Sequence, residues 1–320
     1  MQQPEISLIV PLYNEEKVFH LLVERLDALI ASSPYRLEIV MINDGSRDKT
    51  PELMREKALQ SPQYTSVFLS RNYGHQIAVS AGMAHAKGTE AIMIIDGDLQ
   101  DPPELLGDFY NKIKEGYEVV FAIRKKRKEN FIKRSMYWLF YRILNRLSEI
   151  DIPLDSGDFS MISRRVCDIL VAMPERSRFL RGMRTWVGFK QIGVEYEREK
   201  RLAGDSKYTL KALFKLAYDG IFNFSYVPLK MITSLGLYTI LISLIYITYV
   251  VIKKLLGYEV PSGFTTLIMA ITLFSGVQLI SLGVIGEYLA RIYLQVKNRP
   301  LFLVDNIIQN GEVINGQRIL

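Results

Sequence analysis

Two stretches without a single charge limit what this chain can become. Residues 231–252, MITSLGLYTILISLIYITYVVI, run for 22 positions, and residues 263–286, GFTTLIMAITLFSGVQLISLGVIG, for 24. A helix needs about 20 consecutive apolar residues to cross a bilayer core, and both runs exceed that. Two buried core helices are the weaker reading at these lengths. The intervening KKLLGYEVPSG is short, so the spans form a hairpin whose open ends share one side. Lys215, Lys230, Arg291, Lys297 and Arg299 flank that side, against Lys253 and Lys254 in the turn. The bias is modest, and it places the termini in the cytoplasm.

The remainder has room for one large domain. A single cysteine, Cys167, excludes an intrachain disulfide and suits a reducing compartment. The opening MQQPEISLIVPLYNEE has no basic region and only a strand-length apolar run, so no secretory leader is expected. A formal charge of +6 would suit nucleic acid or an anionic membrane. Basic residues gathered beside membrane spans favour lipid and speak against nucleic acid.

Residues 1 to about 225 read as a soluble α/β domain. Strand-like runs fall at 6–13, 37–44, 64–70, 90–96 and 118–124. Amphipathic helical stretches separate them near 15–31, 48–60, 76–87 and 103–115. Such alternation implies a mostly parallel sheet covered by helices, with ligands beyond the carboxyl ends of the strands. PLYNEE at 11–16, NDGS at 43–46 and DGD at 96–98 all lie at such ends. Three polar clusters from separate strands therefore meet on one edge.

After Arg124 the pattern changes. A basic loop runs into an aromatic-rich helix containing Phe131, Met136, Trp138, Leu139 and Tyr141, which packs on the sheet or lies on a membrane surface. Residues 207–224 form a second amphipathic stretch that leads directly into the first span, and there the interface is favoured. The tail RPLFLVDNIIQNGEVINGQRIL shows two strand-like runs around Asn-Gly turns. An exposed hairpin there can pair between subunits, which allows a homo-oligomer.

Asp96-Gly97-Asp98 after four apolar residues sets two carboxylates where one hard divalent cation can sit, with Gln100 as a further oxygen donor. Magnesium takes one or two protein carboxylates and fills its other positions with water and phosphate oxygens. In isolation the pair would read as a solvated turn. Asp44 can hydrogen-bond a base or ribose, or simply open a helix beside Ser46 and Asp48. Glu15 and Glu16 suit a helix N-terminus. Tyr13 can stack on a base. His75 and His85 read as bland, since neither has metal-ligand spacing or a nucleophile beside it.

VPLYNEE, NDGSRDKT, LSRNYGHQIAVSAGM, DGDLQDPPE, SGDFSMISRR and RLAGDSKY together resemble the polyprenyl-phosphate glycosyltransferases of glycosyltransferase family 2. The likeness covers about 1–215 and continues through GVIGEYLARIY in the second span. It implies a GT-A (Rossmann-like) α/β catalytic domain over 1–206 and an interface helix over 207–227. It further implies two transmembrane helices within 228–297, at about 229–253 and 263–289, and a tail over 298–320.

The resemblance implies that Pro11, Tyr13, Glu15, Asp44, Asp96 and Gly97 contact a nucleotide-sugar donor. Asp98 and Gln100, with Asp96, would hold Mg2+ or Mn2+ against its diphosphate. Arg201 and Lys207 would clamp the phosphates, while Arg124, Arg134 and Ser135 would receive the phosphate of a polyprenyl acceptor. Asp158 stands where relatives with hydroxyl acceptors place a base. A phosphate acceptor is already ionised, so Asp158 is expected to orient the sugar or the acceptor phosphate. The expected reaction is inverting transfer of a hexose from UDP-glucose to undecaprenyl phosphate at the bacterial inner membrane. UDP-aminoarabinose derivatives, GDP-mannose and UDP-N-acetylhexosamine are the alternative donors. A processive synthase fits less well, because RGMRTW at 181–186 lacks the glutamine of the Gln-x-x-Arg-Trp element. A non-catalytic membrane scaffold is opposed by the intact Asp96, Asp98, Arg201 and Lys207.

Overall fold

The computed structural model describes residues 3–124, 156–197, 225–257 and 263–315. Among these residues nine strands form one sheet in the order β7-β5-β6-β4-β1-β2-β3-β8-β9. They are β1 (Ile6–Leu12), β2 (Leu37–Asn43), β3 (Tyr64–Leu69), β4 (Ala91–Ile94), β5 (Val119–Arg124), β6 (Ser156–Ser163), β7 (Gln191–Tyr196), β8 (Val304–Gln309) and β9 (Glu312–Asn315). The first four are parallel neighbours, and β1 and β2 are buried at every position. Continuous apolar runs are what strands covered on both faces require.

Helices cover both faces. On one side lie α1 (Phe19–Ser32), α2 (Thr50–Gln60) and α4 (Leu106–Lys114); on the other lie α3 (His75–His85), α5 (Arg164–Ala172) and α6 (Leu180–Trp186). Alternation along β1 feeds both cores: Leu8, Val10 and Leu12 meet the first, Ile9 the second. Helix α1 answers with Phe19, Leu22, Leu26 and Leu29, one apolar stripe at helical spacing.

Strand β6 was not among the strands expected from the sequence. It is antiparallel and inserts between β4 and β5, pairing Ile94 with Ser160 and Phe121 with Ser160 across its two sides. Because it runs against its neighbours, its beginning lies beside their ends. Asp158 therefore joins the same rim as the residues that follow β1, β2 and β4, and β5 ends there too, with Arg124 in register with Tyr196.

Helices α7 (Val227–Leu255) and α8 (Phe264–Val296) leave large apolar side chains uncovered, including Leu237, Ile242, Leu279 and Ile280. Their apolar windows have mean hydropathies of 2.2 and 1.4 with nothing buried against protein, the pattern of a surface meant for lipid. At 1.5 Å per residue both are long enough to cross a bilayer core. The foot of α8 is fastened to the segment between α5 and α6. Gln295 donates to the Pro174 carbonyl (2.6 Å) and accepts from the Arg176 backbone N–H, while Arg176 donates to Asn298 (3.0 Å). The chain then returns to the sheet, laying β8 antiparallel on β3 and β9 beyond it.

Candidate active site

The rim is assembled from loops that hold one another. After β1, the backbone N–H groups of Asn14, Glu15 and Glu16 donate to Ser46, Thr50 and Asp48 respectively, Ser46 and Asp48 in the loop after β2 and Thr50 at the start of α2. The Asn14 side chain accepts from Arg47 N–H in return. Pro11 is buried within β1, and Tyr13 and Glu15 stand beyond its end. Asp44 is buried, and its carboxylate accepts from the backbone N–H groups of Tyr73 (2.7 Å) and Gly74 (3.0 Å). Burial raises its pKa in spite of those bonds and of nearby His75. Asp44 thus sets the loop after β3 against the loop after β2. Gly45 makes that approach feasible: its φ is +66°, and a Cβ there would lie 2.5 Å from the Asn72 nitrogen.

The four acidic residues of the DGDLQDPPE turn divide by role. Asp101 is buried and accepts from the Tyr196 hydroxyl (2.7 Å), joining this turn to β7. Glu104 pairs bidentately with Arg25 of α1 at 2.6 and 2.8 Å. Those two are structural, and the pair that belongs to the rim is Asp96 and Asp98. Gly97 brings them close to β1, since a Cβ at that position would meet Leu12 Cδ2 at 2.5 Å. Asp98 accepts from Gln100 N–H (3.2 Å) across Leu99, which is buried in the left-handed region at φ 61°. A buried leucine held there stores backbone strain, as occurs at sites where the chain must present particular groups. Among the described residues no cluster of three or more His, Cys, Asp or Glu forms a closed metal cage. Two carboxylates and an amide oxygen on one turn instead fit an open site that shares a hard cation with phosphate.

Asp158 lies opposite. Its carboxylate receives Arg181 Nε (2.8 Å) and Nη2 (3.3 Å), both from α6, and Gln76 Nε2 (3.0 Å) from α3. His75 Nε2 lies 3.4 Å from Asp158 and 3.6 Å from Asp96. Burial would raise the Asp158 pKa, but Arg181 and His75 outweigh it and hold the carboxyl well below its usual range. For His75, desolvation opposes the charge, yet the hydrogen bond to Asp158 and the two carboxylates lift its pKa to about 9. Next to Asp158, Phe159 is locked by stacking on Phe109 (5.1 Å) and by an edge contact with Tyr196 (5.3 Å). Buried Arg184 donates to the Gly157 carbonyl (3.3 Å), and burial draws its pKa down to about 10.

Reading His75 as bland does not survive: it bridges carboxylates from two strands. His85 stays ordinary, with burial and Lys87 lowering its pKa to about 4. Gln76 and Arg181 also escaped the sequence reading. Arg181 was visible only as the first letter of RGMRTW, and nothing local links Gln76 to Asp158, 82 positions away. Arg134, Ser135, Arg201 and Lys207 lie outside the described residues, as do the helical stretches expected at 131–146 and 207–224.

A mostly parallel sheet with polar loops and a carboxylate pair at the ends of its strands is the GT-A class of fold, built for activated sugars. Two transmembrane-length helices fastened beneath it put the protein in the class of membrane-associated transferases. The chain belongs to glycosyl transferase family 2, whose pattern it matches over residues 7–170. Residues 227–292 match a second family, described as the GtrB C-terminal hairpin. An uncharacterised glycosyltransferase of Bacillus subtilis is 46% identical over 318 residues, covering 98% of each chain. Another from Synechocystis is 43% identical over 305 residues, 95% of each. A bactoprenol glucosyl transferase of Shigella phage SfII is 38% identical over 301 residues, covering 94% of this chain and 97% of that one.

Proposed function

We propose that this glycosyltransferase moves glucose from UDP-glucose to a polyprenyl phosphate, undecaprenyl phosphate, with inversion at the anomeric carbon. The reaction would run at the cytoplasmic face of a bacterial inner membrane. The observation that carries the reading is the rim itself: Asp96, just after β4, and Asp158, on β6, face one imidazole at 3.6 and 3.4 Å on a domain fastened to a membrane hairpin. Relatives named as bactoprenol glucosyl transferases support the choice of sugar and acceptor.

The acceptor does much of the chemistry. A phosphate monoester has a second pKa near 6 and is mostly dianionic at neutral pH, so it can attack without a base. Asp158, ionised and gripped by Arg181, is poorly suited to take a proton and well suited to orient a reactant. Asp98, with Asp96 and Gln100, would hold Mg2+ or Mn2+, which when bound offsets the negative charge on the departing diphosphate. Tyr13, Glu15, Asp44, Pro11 and Gly97 would shape the nucleotide pocket. Arg201 and Lys207 would steady the donor phosphates, and Arg124, Arg134 and Ser135 would draw in the lipid phosphate.

The test uses purified full-length protein, undecaprenyl phosphate and a panel of radiolabelled nucleotide sugars, with and without chelator. Metal-dependent formation of a β-linked lipid phosphoglucose is expected. Undiminished turnover after exhaustive chelation, retained configuration, or preference for a water-soluble alcohol would sink the proposal.

A further inference from the structure

Three groups from two helices converge on Asp158, and their arrangement limits what that carboxylate can do. Oδ2 accepts from Gln76 Nε2 and Arg181 Nη2 and faces His75 Nε2. Among the described residues, Oδ1 meets only Arg181 Nε. A carboxylate offers about four lone-pair directions in all, so Oδ1 keeps capacity for one more donor. Gln76 does a second job: its Oε1 accepts from Leu180 N–H (2.9 Å), the first residue of α6. One glutamine therefore sets both the carboxylate and the helix that brings Arg181 to it. An ionised carboxylate can only accept, and a dianionic phosphate has no proton to give. Of the two reactants, the one able to complete Oδ1 is the sugar, through a hydroxyl.

We infer that Arg181 and Gln76 are positioning residues for the transfer reaction, fixing Asp158 so that its Oδ1 accepts a hydrogen bond from a hydroxyl of the donor sugar. The inference rests on the proposed function and narrows it, choosing the sugar over the acceptor phosphate as the group Asp158 orients. The charged groups around Asp158 are His75 on α3, Asp96 after β4, and Arg181 and Arg184 on α6. Removing Arg181 takes away the nearest cation while burial remains. A carboxylate so treated protonates at higher pH, and a protonated Asp158 no longer offers the same acceptor.

The experiment measures kcat and KM of full-length wild type, Gln76→Met, Arg181→Met, Arg181→Lys and Asp158→Ala between pH 5.5 and 8.5, with UDP-glucose and its monodeoxy analogues. Gln76→Met is close to isosteric and should lower kcat about 10-fold while KM for undecaprenyl phosphate changes little. Arg181→Met should lose about 100-fold at pH 6 and recover part of it by pH 8, with Arg181→Lys intermediate. The ratio of variant to wild-type kcat is the readout, because the acceptor's own ionisation cancels in it. One deoxy analogue should slow wild type markedly yet leave Asp158→Ala no slower than with glucose. Should Arg181→Met not fold, as judged by thermal melting, Gln76→Met and the deoxy series still decide. Unchanged kcat in Gln76→Met, or every deoxy analogue slowing Asp158→Ala as much as wild type, would overturn the inference and leave the proposed function standing. No transfer by wild type from any nucleotide sugar would overturn both.

Discussion

Asp158→Asn removes one charge from a nearly sealed cluster and leaves its shape almost unchanged. The side chain is 7% exposed and its partner Arg181 17%, so solvent replaces little of what is lost. Neutralising one member of a buried ion pair costs about 3–5 kcal/mol, because the other charge stays behind. Asparagine keeps one acceptor oxygen but turns an NH2 towards Gln76 or Arg181, so the lower figure, about 3 kcal/mol, applies here. For a domain of this size that corresponds to a fall in Tm of about 6–12 °C. The pH dependence gives a sharper check. An aspartate with a depressed folded-state pKa contributes stability that is complete above its unfolded value, about 3.9, and is lost only as pH falls through the lower folded value. The gap between wild type and variant should therefore stay level from about pH 5 to 6.5. His75 works in the opposite sense: its stabilisation is full below the unfolded value and fades as pH rises towards about 9. Since that shift depends partly on Asp158, the gap should narrow on the alkaline side. Thermal unfolding of the detergent-solubilised protein at a series of pH values measures both limbs. A Tm change below about 2 °C, or a gap that closes between about pH 5 and 6.5, would show that Asp158 is not held as an ion.

Other expected outcomes follow from the same geometry. Gly45→Ala should cost about 1–3 kcal/mol, from the left-handed backbone and the clash with Asn72, and should weaken nucleotide binding as the two loops separate; an unchanged melting curve would refute this. Asp98→Ala should abolish magnesium-dependent UDP binding in calorimetry, because the turn then offers the cation a single carboxylate; retained binding would refute this. Arg25→Met should lower stability by no more than about 1 kcal/mol, because Glu104 is half exposed, and should leave kcat within about twofold; a large kcat loss would mean that Glu104 belongs to the site after all.

The five strands read from sequence lie within a residue or two of β1 to β5, because each is an apolar run bounded by a helix of clear period. β6 and β7 were not legible. SGDFSMIS carries Gly, Asp and three Ser, and only its long-range pairing with β4 and β5 makes it a central strand. The site divides in the same way. Carboxylates at strand ends follow from topology, so Asp96 and Asp98 could be placed on the rim beforehand. Gln76 and Arg181 take their meaning from a partner on another element, and an isolated glutamine near a helix start looks like any surface residue. His75 was misread for a related reason: spacing rules find metal cages, and this histidine serves two carboxylates from different strands.

Strand β8 has a consequence for biosynthesis. It completes the sheet at the outer side of β3, and it lies beyond both apolar helices in the chain. Until the ribosome has released residues past Gln309, the Ser66–Leu69 border remains open to any other strand. Closure of that border thus waits for synthesis of both apolar helices, and the layer that carries the rim is the last part of the molecule to be finished.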